Sequence, residues 1–498
     1  MSTNIIKINP HLQKFQSEKM RVPVFFHTSD NLLPNKETFQ QLEILAQDNR
    51  LFHHIAAMSD VHPKKGRKNP TGTIVASENY IFPQINDTAP NCGMRFLRTD
   101  FNTKNLKEKD IDNLFQELVK VIPTKKYIGT KLSYRMVLDI AKYGSRPWIE
   151  KFKPAIKNEI ENTFEQGNLV TQKSITDQDL FNAIPKLFLW IAKYRSGILG
   201  AAGNHFLDLM KITEIKNNEI ASKFNLEKDQ CIFLMHTGSG LLGQYASYMY
   251  TPKMKEHFSQ KIMLELGKLF TFSSRYKNIY KKLALQIKKY QNKTNFWAYK
   301  EESLEGRLFL TAHQASGNFG FINRTILTHH LDLAIKKMLK RSANLDLLYD
   351  MPHISNIKEN HFGKEVWIHR NGTTRAFGPQ RMQKKHPLFS QTGEPVFIPS
   401  SMSTPAYLGV GTDYNETSFF SASHGTGRRT QAKGAKNKKE LFEKMKKQHV
   451  RLYNAQSKGV VLQDSSYYKD VEEVITGMEA NQIVKTVIKM QPVAVLMY

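Results

Sequence analysis

Four polar corners, each at a glycine- or proline-marked turn after an apolar run, are scattered between residues 91 and 353. They are Asn91-Cys92-Gly93, Gly203-Asn204-His205-Phe206, Met235-His236-Thr237-Gly238 and Asp350-Met351-Pro352-His353. A fifth, Ser423-His424-Gly425-Thr426-Gly427-Arg428-Arg429, lies further on. Strand ends that feed loops are where side chains from distant parts of a chain converge. The 498 residues correspond, at roughly 150 residues per domain, to about three domains or one large one. Composition changes gradually, with neither an internal repeat nor a low-complexity linker. Residues 1–498 are therefore expected to form a single domain.

Local patterns alternate without a regular βαβ rhythm, which predicts a mixed α+β architecture. Residues 21–100 combine short apolar runs with turn signals and read as strands and loops. The stretch 101–195 is helix-rich: Ile111, Leu114, Phe115, Leu118, Val119 and Ile122 recur at helical spacing before Pro123. Ile232–Met235 reads as a buried strand, and 318–340 as an amphipathic helix. Short strands are expected at Val366–His369, Val396–Ile398, Tyr407–Val410 and in the tail Val493–Tyr498. Cys231 reads as core, and the pairs His53-His54 and His329-His330 as structural residues in helical segments.

A net charge of +27, from 72 Lys and Arg against 45 Asp and Glu, attracts polyanions: RNA, DNA or an anionic membrane surface. The bland alternative is a lysine-rich soluble surface. Two basic runs bear on this. In 273–300, Lys281, Lys282, Lys288 and Lys289 alternate with Tyr276, Tyr280 and Tyr290, so a helix there could track phosphates while aromatics stack on bases. A solvated face with inward tyrosines fits equally. The second run, 428–451 with Lys433 through Lys447, reads as surface helix. Two cysteines exclude a disulfide framework and point to a reducing, cytoplasmic setting. The N-terminal segment has no apolar h-region, and the longest apolar run, Leu187–Ala192, is bounded by Lys186 and Lys193. No membrane span is expected.

Cys92, His205, His236 and His353 would together offer one thiolate and three imidazoles, a donor set suited to Mn, Fe, Co or Zn. Their spacings match no local metal motif, and satisfied buried histidines remain the alternative. In the fifth corner, Gly425 and Gly427 let backbone amides approach a phosphate that Arg428 and Arg429 could neutralise. His424 could relay a proton, ligate a metal or attack phosphorus, and a tight surface turn is the competing reading.

Taken in order, these corners resemble the RtcB family of RNA-splicing ligases. Further matches are Asp60-Val-His62, His369-Arg370, Thr374-Arg-Ala-Phe-Gly-Pro379, Ile398-Pro-Ser-Ser-Met402 and Tyr468-Lys-Asp470. The resemblance implies a fold with a central active-site cleft and metal ligands on separate loops. It implies joining of RNA 3′-phosphate or 2′,3′-cyclic phosphate ends to 5′-hydroxyl ends, with GTP and Mn²⁺, through a histidine–GMP intermediate. By position His424 is the nucleophile, and Cys92, His205, His236 and His353 match metal ligands. Asn204, Phe206, Asp208, Ser401, Met402, Gly425, Gly427, Arg428 and Tyr468 fall where the nucleotide is held. Arg375 joins the four lysines as a candidate RNA contact. A monomer acting with an archease-type activator is the expectation for partners.

The departures lie in the same shells. Ala89 stands where the family has a metal-binding aspartate, so one or two ions are expected, with Asp87 and Asp60 the nearest carboxylates. Gly240 replaces an arginine, Ile354 an asparagine, Ser400 and Ser403 glycines, Met497 a lysine, and Asp208 a glutamate. A divergent ligase is the leading reading. The alternatives are an RNA-binding or regulatory relative, and a metal-dependent phosphoesterase acting on RNA ends.

Overall fold

Most of the chain's β-forming runs assemble into two large sheets. The first, in spatial order, holds Ile5–Asn9, Leu12–Phe15, Val24–His27, Leu51–His62, Thr71–Ser77, Lys364–Asn371 and Ile354–His361. The second holds Asp346–Pro352, Gly93–Asn102, Gln230–Thr237, Phe206–Ile215, Val484–Met497, Ala406–Gly411 and Pro395–Ile398. Arg451–Asn454 lies parallel beside Val484–Met497. This computed structural model describes all residues except 1–4, 65, 87–88, 125–127, 201–203, 254–261, 263–264, 266–273, 291–294 and 430–433. Asp87, Gly203 and Lys433 therefore lie outside the described residues, as do the side chains of Arg275, Tyr276 and Lys277.

The architecture is mixed α+β, as the sequence predicts. Gln230–Thr237 is buried almost throughout, Cys231 included, because the sheet is covered on both faces by separate apolar clusters. Residues 101–195 carry the helices Glu108–Val121, Tyr134–Tyr143, Arg146–Phe152, Asp177–Ala183 and Lys186–Ala192. Several of these pack on a 36-residue helix, Leu304–Leu339, whose side chains are buried on nearly every face. Its buried positions include polar side chains such as Gln314, Asn318, Asn323 and Arg324 beside the apolar ones.

That helix begins at Leu304, well before the expected Asn318. Ser303 caps it, accepting from Gly306 N at 3.0 Å. Gly306, Gly317 and Gly320 break the apolar periodicity on which the sequence reading depends. Gly320 is needed sterically, since a Cβ there would stand 2.4 Å from the Asn91 carbonyl oxygen. The expectation for His53-His54 also fails: both lie in the strand Leu51–His62. His53 has φ 63°, at a register shift between Leu51 and Ile55, so a bulge removes the alternation that would mark a strand. His329 and His330 do lie on a helix.

The chain passes directly from the second sheet to the first at one residue. Pro352 pairs with Gly93 in the second sheet, while Ile354 pairs with Asn371 in the first. His353 is the seam between them. Among the described residues, no helix is long and apolar enough to cross a membrane.

Buried neutral histidines make this fold acid-sensitive. His369 accepts a hydrogen bond from Phe82 N at 3.0 Å and donates from Nδ1 to Val75 O at 3.1 Å, an arrangement with no room for a second proton. Burial lowers His369 to about 4, His27 to about 4 and His54 to about 3. The unfolded chain takes up protons below pH 6.5 that the folded chain refuses, so stability is present above that pH and is lost as pH falls. Each such histidine should cost about 1.4 kcal/mol per pH unit between 6.5 and its folded pKa. Urea midpoints at pH 7 and pH 5 test this, and an unchanged midpoint would contradict it.

Candidate active site

The loops at the seam bring four of the five sequence corners into contact. Cys92 precedes the strand Gly93–Asn102, and its Sγ lies 3.5 Å from His205 Nε2 and 3.3 Å from His236 Nε2. His236 Nε2 lies 3.0 Å from His353 Nε2. Cys92, His236 and His353 present donor atoms all within 4.8 Å of one another. The backbone ties these loops together, because His353 N donates to Cys92 O at 2.9 Å. Gly372 N donates to His353 O at 2.9 Å, and His424 N to Gly372 O at 3.3 Å. The fifth corner joins by ring contact: His424 stacks on His353 with centroids 3.7 Å apart and planes 3° from parallel.

Carbonyl acceptors set the tautomers. His205 Nδ1 donates to Leu199 O at 2.9 Å, and His236 Nδ1 to Asn204 O at 2.6 Å. Each proton is thereby held on Nδ1, and each Nε2 lone pair faces the thiol. His236 and His353 then bring two Nε2 atoms together at 3.0 Å, a hydrogen-bond distance. The donor set fits one divalent transition ion. Ala89 lines the same cleft and offers no ligand atom. Asp60 also lines it, but its carboxylate accepts from Ser423 Oγ at 3.2 Å, and burial raises its carboxyl to about 7 against the opposing charge of Lys469.

Desolvation governs the electrostatics. It lowers His205 to about 4 and His424 to about 3, and holds His236 and His353 well below the usual histidine range. It also pushes the Cys92 thiol up to about 11, a cost that a bound cation would reverse. All four imidazoles are therefore neutral at pH 7.

Around them opens a cleft of about 780 Å³. Every residue assigned to the nucleotide by resemblance lines it: Asn204, Phe206, Asp208, Ser401, Met402, Gly425, Gly427, Arg428 and Tyr468. Positive φ at Gly425 (110°) and Gly427 (72°) lets the His424 loop wedge between Pro399 and Asp60. A Cβ on Gly427 would meet Asp60 O at 2.5 Å. Arg428 donates to Leu462 O at 2.7 Å and to Tyr468 Oη at 3.2 Å, which fixes Tyr468 in the wall. Asp208 faces Leu234 and Val495 across the sheet, and burial raises its carboxyl well above the usual range. Its Oδ1 has no hydrogen-bond partner.

The RNA candidates fare differently. Lys281, Lys282, Lys288 and Lys289 are exposed on the helix Ser274–Tyr290. Tyr280 is buried, its hydroxyl bonded to Tyr250 Oη and to Asn182 O, and Tyr290 packs edge-on against Trp297. Tyr280 thus anchors the helix and is not available to stack on bases. Arg375 needs correction as an RNA contact. It is buried, paired with Glu394 at 2.9 Å and Glu165 at 2.5 Å, because the Thr374–Pro379 stretch runs through the core.

The sequence reading missed Arg324, whose guanidinium holds two ligand loops. It donates to Asn91 O at 3.2 Å, Asn91 Oδ1 at 2.8 Å and Thr237 O at 2.8 Å, and pairs with Asp350 at 2.7 Å. An arginine between Phe321-Ile322 and Ile326-Leu327, in the middle of a helical pattern, is the signal that could have revealed it. Lys64, Arg67 and Lys253 also line the cleft and were not singled out.

A family model described as "tRNA-splicing ligase RtcB" matches residues 41–497. Among curated relatives of that same name, the chain is 28% identical to one from Nanoarchaeum equitans, covering all of both chains. It is 28% identical to one from Methanococcus maripaludis, covering 96% of this chain and 95% of that one. A relative from Thermococcus kodakarensis is 26% identical, with 99% and 98% covered.

The clamp geometry yields a prediction. Arg324→Met leaves buried Asp350 with Arg95 as its remaining cation, at 2.7 Å, and should lower unfolding free energy by about 3–5 kcal/mol. Arg324→Lys keeps a charge near Asp350 but cannot reach both loops. It should remain folded and bind Co²⁺ about tenfold more weakly, read from the thiolate charge-transfer absorption. Wild-type Co²⁺ affinity in the lysine variant would contradict the clamp.

Proposed function

Because the chain belongs to the tRNA-splicing ligase RtcB family, we propose that it joins RNA 3′-phosphate or 2′,3′-cyclic phosphate ends to 5′-hydroxyl ends through a guanylate carried on His424. The observation that carries this reading is the 3.7 Å stacking of His424 on His353, which puts an imidazole beside the Cys92–His205–His236–His353 donor set. A divalent ion held by those four residues, Mn²⁺ in our reading, would supply Lewis-acid neutralisation of phosphate charge.

The chain's own residues do the rest. His424 is neutral at pH 7, so its lone pair is available for attack. It attacks the α-phosphorus of GTP, forming an N–P bond and expelling pyrophosphate. A 2′,3′-cyclic phosphate is first opened by water to the 3′-phosphate with a free 2′-hydroxyl. The RNA 3′-phosphate then takes the GMP group from His424 as the N–P bond breaks. The 5′-hydroxyl displaces GMP, losing its proton, to form the phosphodiester. The glycines of the His424 loop admit the phosphate to backbone amides, while Phe206, Asp208 and Tyr468 bound the base. His353 positions the nucleophile through ring stacking. Residues 1–498 act in this reading as one catalytic unit.

Incubation with GTP and Mn²⁺ should add a GMP-sized mass to the wild-type chain and none to His424→Ala. No adduct on folded protein with Mn²⁺, Co²⁺ or Zn²⁺, and with ATP as well as GTP, would overturn the mechanism and favour an RNA-binding relative. The helix Ser274–Tyr290 makes a separate prediction. Replacing Lys281, Lys282, Lys288 and Lys289 with alanine should weaken RNA binding and flatten the dependence of log K on log salt, by about one unit of slope for each phosphate left without its lysine. An unchanged slope would remove this helix from the RNA path.

A further inference from the structure

The apolar run Leu187–Ala192 lies in the helix Lys186–Ala192, yet its largest side chain stays out of the core. Phe188, Leu189 and Ala192 are buried, and Phe188 packs on Tyr245 with ring centroids 4.2 Å apart. Trp190 is left 51% exposed. A single exposed aromatic is ordinary on a protein surface, but Trp190 does not stand alone. Tyr194 lies edge-on to it, with centroids 6.1 Å apart. Lys193 Nζ is 5.4 Å from the Trp190 centroid and 5.5 Å from that of Tyr194. Lys186, one turn before Trp190 on the same helix face, is exposed and sets its Nζ 4.5 Å from the Phe181 ring. Aromatic rings and ammonium groups thus alternate across one surface outside the cleft.

Backbone pairing holds this surface in place. Leu132 N donates to Lys193 O at 2.7 Å, and Gly129 N to Tyr194 O at 2.8 Å. The surface also connects the basic helix Ser274–Tyr290 with the cleft. At one end, the Tyr280 hydroxyl of that helix bonds to the carbonyl of Asn182, next to Phe181. At the other end, Arg195 O lies 3.8 Å from the Cβ position of Gly240. Gly240 opens the helix Gly240–Tyr250, whose Gln244, Ser247 and Tyr248 line the cleft. The same segment then runs on to Leu199, whose carbonyl accepts from His205 Nδ1 at 2.9 Å.

We propose that Trp190 and Tyr194, flanked by Lys186 and Lys193, form a platform on which unpaired bases of single-stranded RNA stack outside the cleft. Every base offers a flat π-face to such rings, and the ammonium groups meet the phosphates that link the bases. A neutral aromatic patch would suit a protein partner equally, but two lysines interleaved with the rings favour a polyanion. The platform rests on the ligase reading for the choice of RNA. It adds to that reading a hold on the bases themselves, placed between the exposed lysines of the basic helix and the reacting ends.

Intrinsic fluorescence of the full chain tests this directly. Of its four tryptophans, Trp148 and Trp367 are buried and Trp297 packs between Tyr290 and Tyr299, so Trp190 reports on the surface. Saturation with oligouridylate should quench the wild-type emission, and the quenching should be lost in Trp190→Phe. An abasic oligoribonucleotide of equal length should bind more weakly and quench little. Trp190→Ala should weaken oligouridylate binding about tenfold with the salt slope unchanged, while Trp190→Phe keeps most of the affinity. Lys186→Ala/Lys193→Ala should instead lower the slope by about one to two. Tm controls for folding in each variant. Wild-type affinity in Trp190→Ala would overturn the platform and favour a protein partner. Equal affinity for the abasic strand, or wild-type protein that binds no oligouridylate, would overturn it as well. The GMP adduct forms without RNA, so the two readings fail separately. An adduct without Trp190 quenching would strike the platform alone, whereas Trp190-dependent RNA binding without an adduct would overturn the ligase mechanism and support the platform.

Discussion

One buried guanidinium holds the site together. Arg324 lies in the buried middle of its helix, and its fork reaches the loop before Cys92 and the strand end after His236. Its counter-ion, Asp350, is also gripped by Arg95, which in turn pairs with Glu159 at 2.8 Å. All four charged groups are essentially removed from water. Two arginines against two carboxylates, with Thr325 and Thr328 hydroxyls completing the bonds, is the type of network in which burial is tolerated because every charge is paired. Removing one member would leave another uncompensated, so the ligand loops inherit the rigidity of the core beneath them.

That rigidity matters because the candidate metal-binding side chains stand at strand ends and in the loops beside them. Cys92, His205, His236 and His353 each sit one or two residues from a strand end, and His353 lies where the chain leaves one sheet for the other. The second sheet sets the lateral spacing: Met94 pairs with His236, and Phe206 pairs with His236 from the other side. Register thus places the thiol and two imidazoles on adjacent strands before any metal binds. The His424 loop is added from a separate two-stranded pair, Thr373–Arg375 with Ser421–Ser423. Gly372 is its hinge to His353: φ is 70° there, and a Cβ would lie 2.4 Å from Thr71 Cγ2.

The polar corners were legible in the sequence because each interrupts an apolar strand with a residue that a core does not require. Strands such as Gln230–Thr237 and Lys364–Asn371 were legible for the same reason. Arg324 was not, since periodicity shows that a helix is buried without showing which buried position is polar and paired. Arg375 misled in the opposite sense: a basic residue inside a motif looks like a ligand contact until Glu394 and Glu165 are seen around it. Lys64, Arg67 and Lys253 escaped notice because they come from segments nearly 190 residues apart, and only the folded cleft brings them to one wall.

The substitution at Ala89 has a local structural setting. Ala89 packs beside Gly243, where even an added Cβ would come within 2.9 Å of the alanine Cβ. Ser239, on the same turn, donates to Pro90 O at 2.5 Å, so this stretch is pinned against the helix Gly240–Tyr250. A carboxylate at residue 89 would have to displace that helix or turn toward the cleft. The same helix carries Gln244, Ser247 and Tyr248 in the cleft wall and, through Ser247, anchors Lys253. One helix thus both packs against residue 89 and lines the cleft.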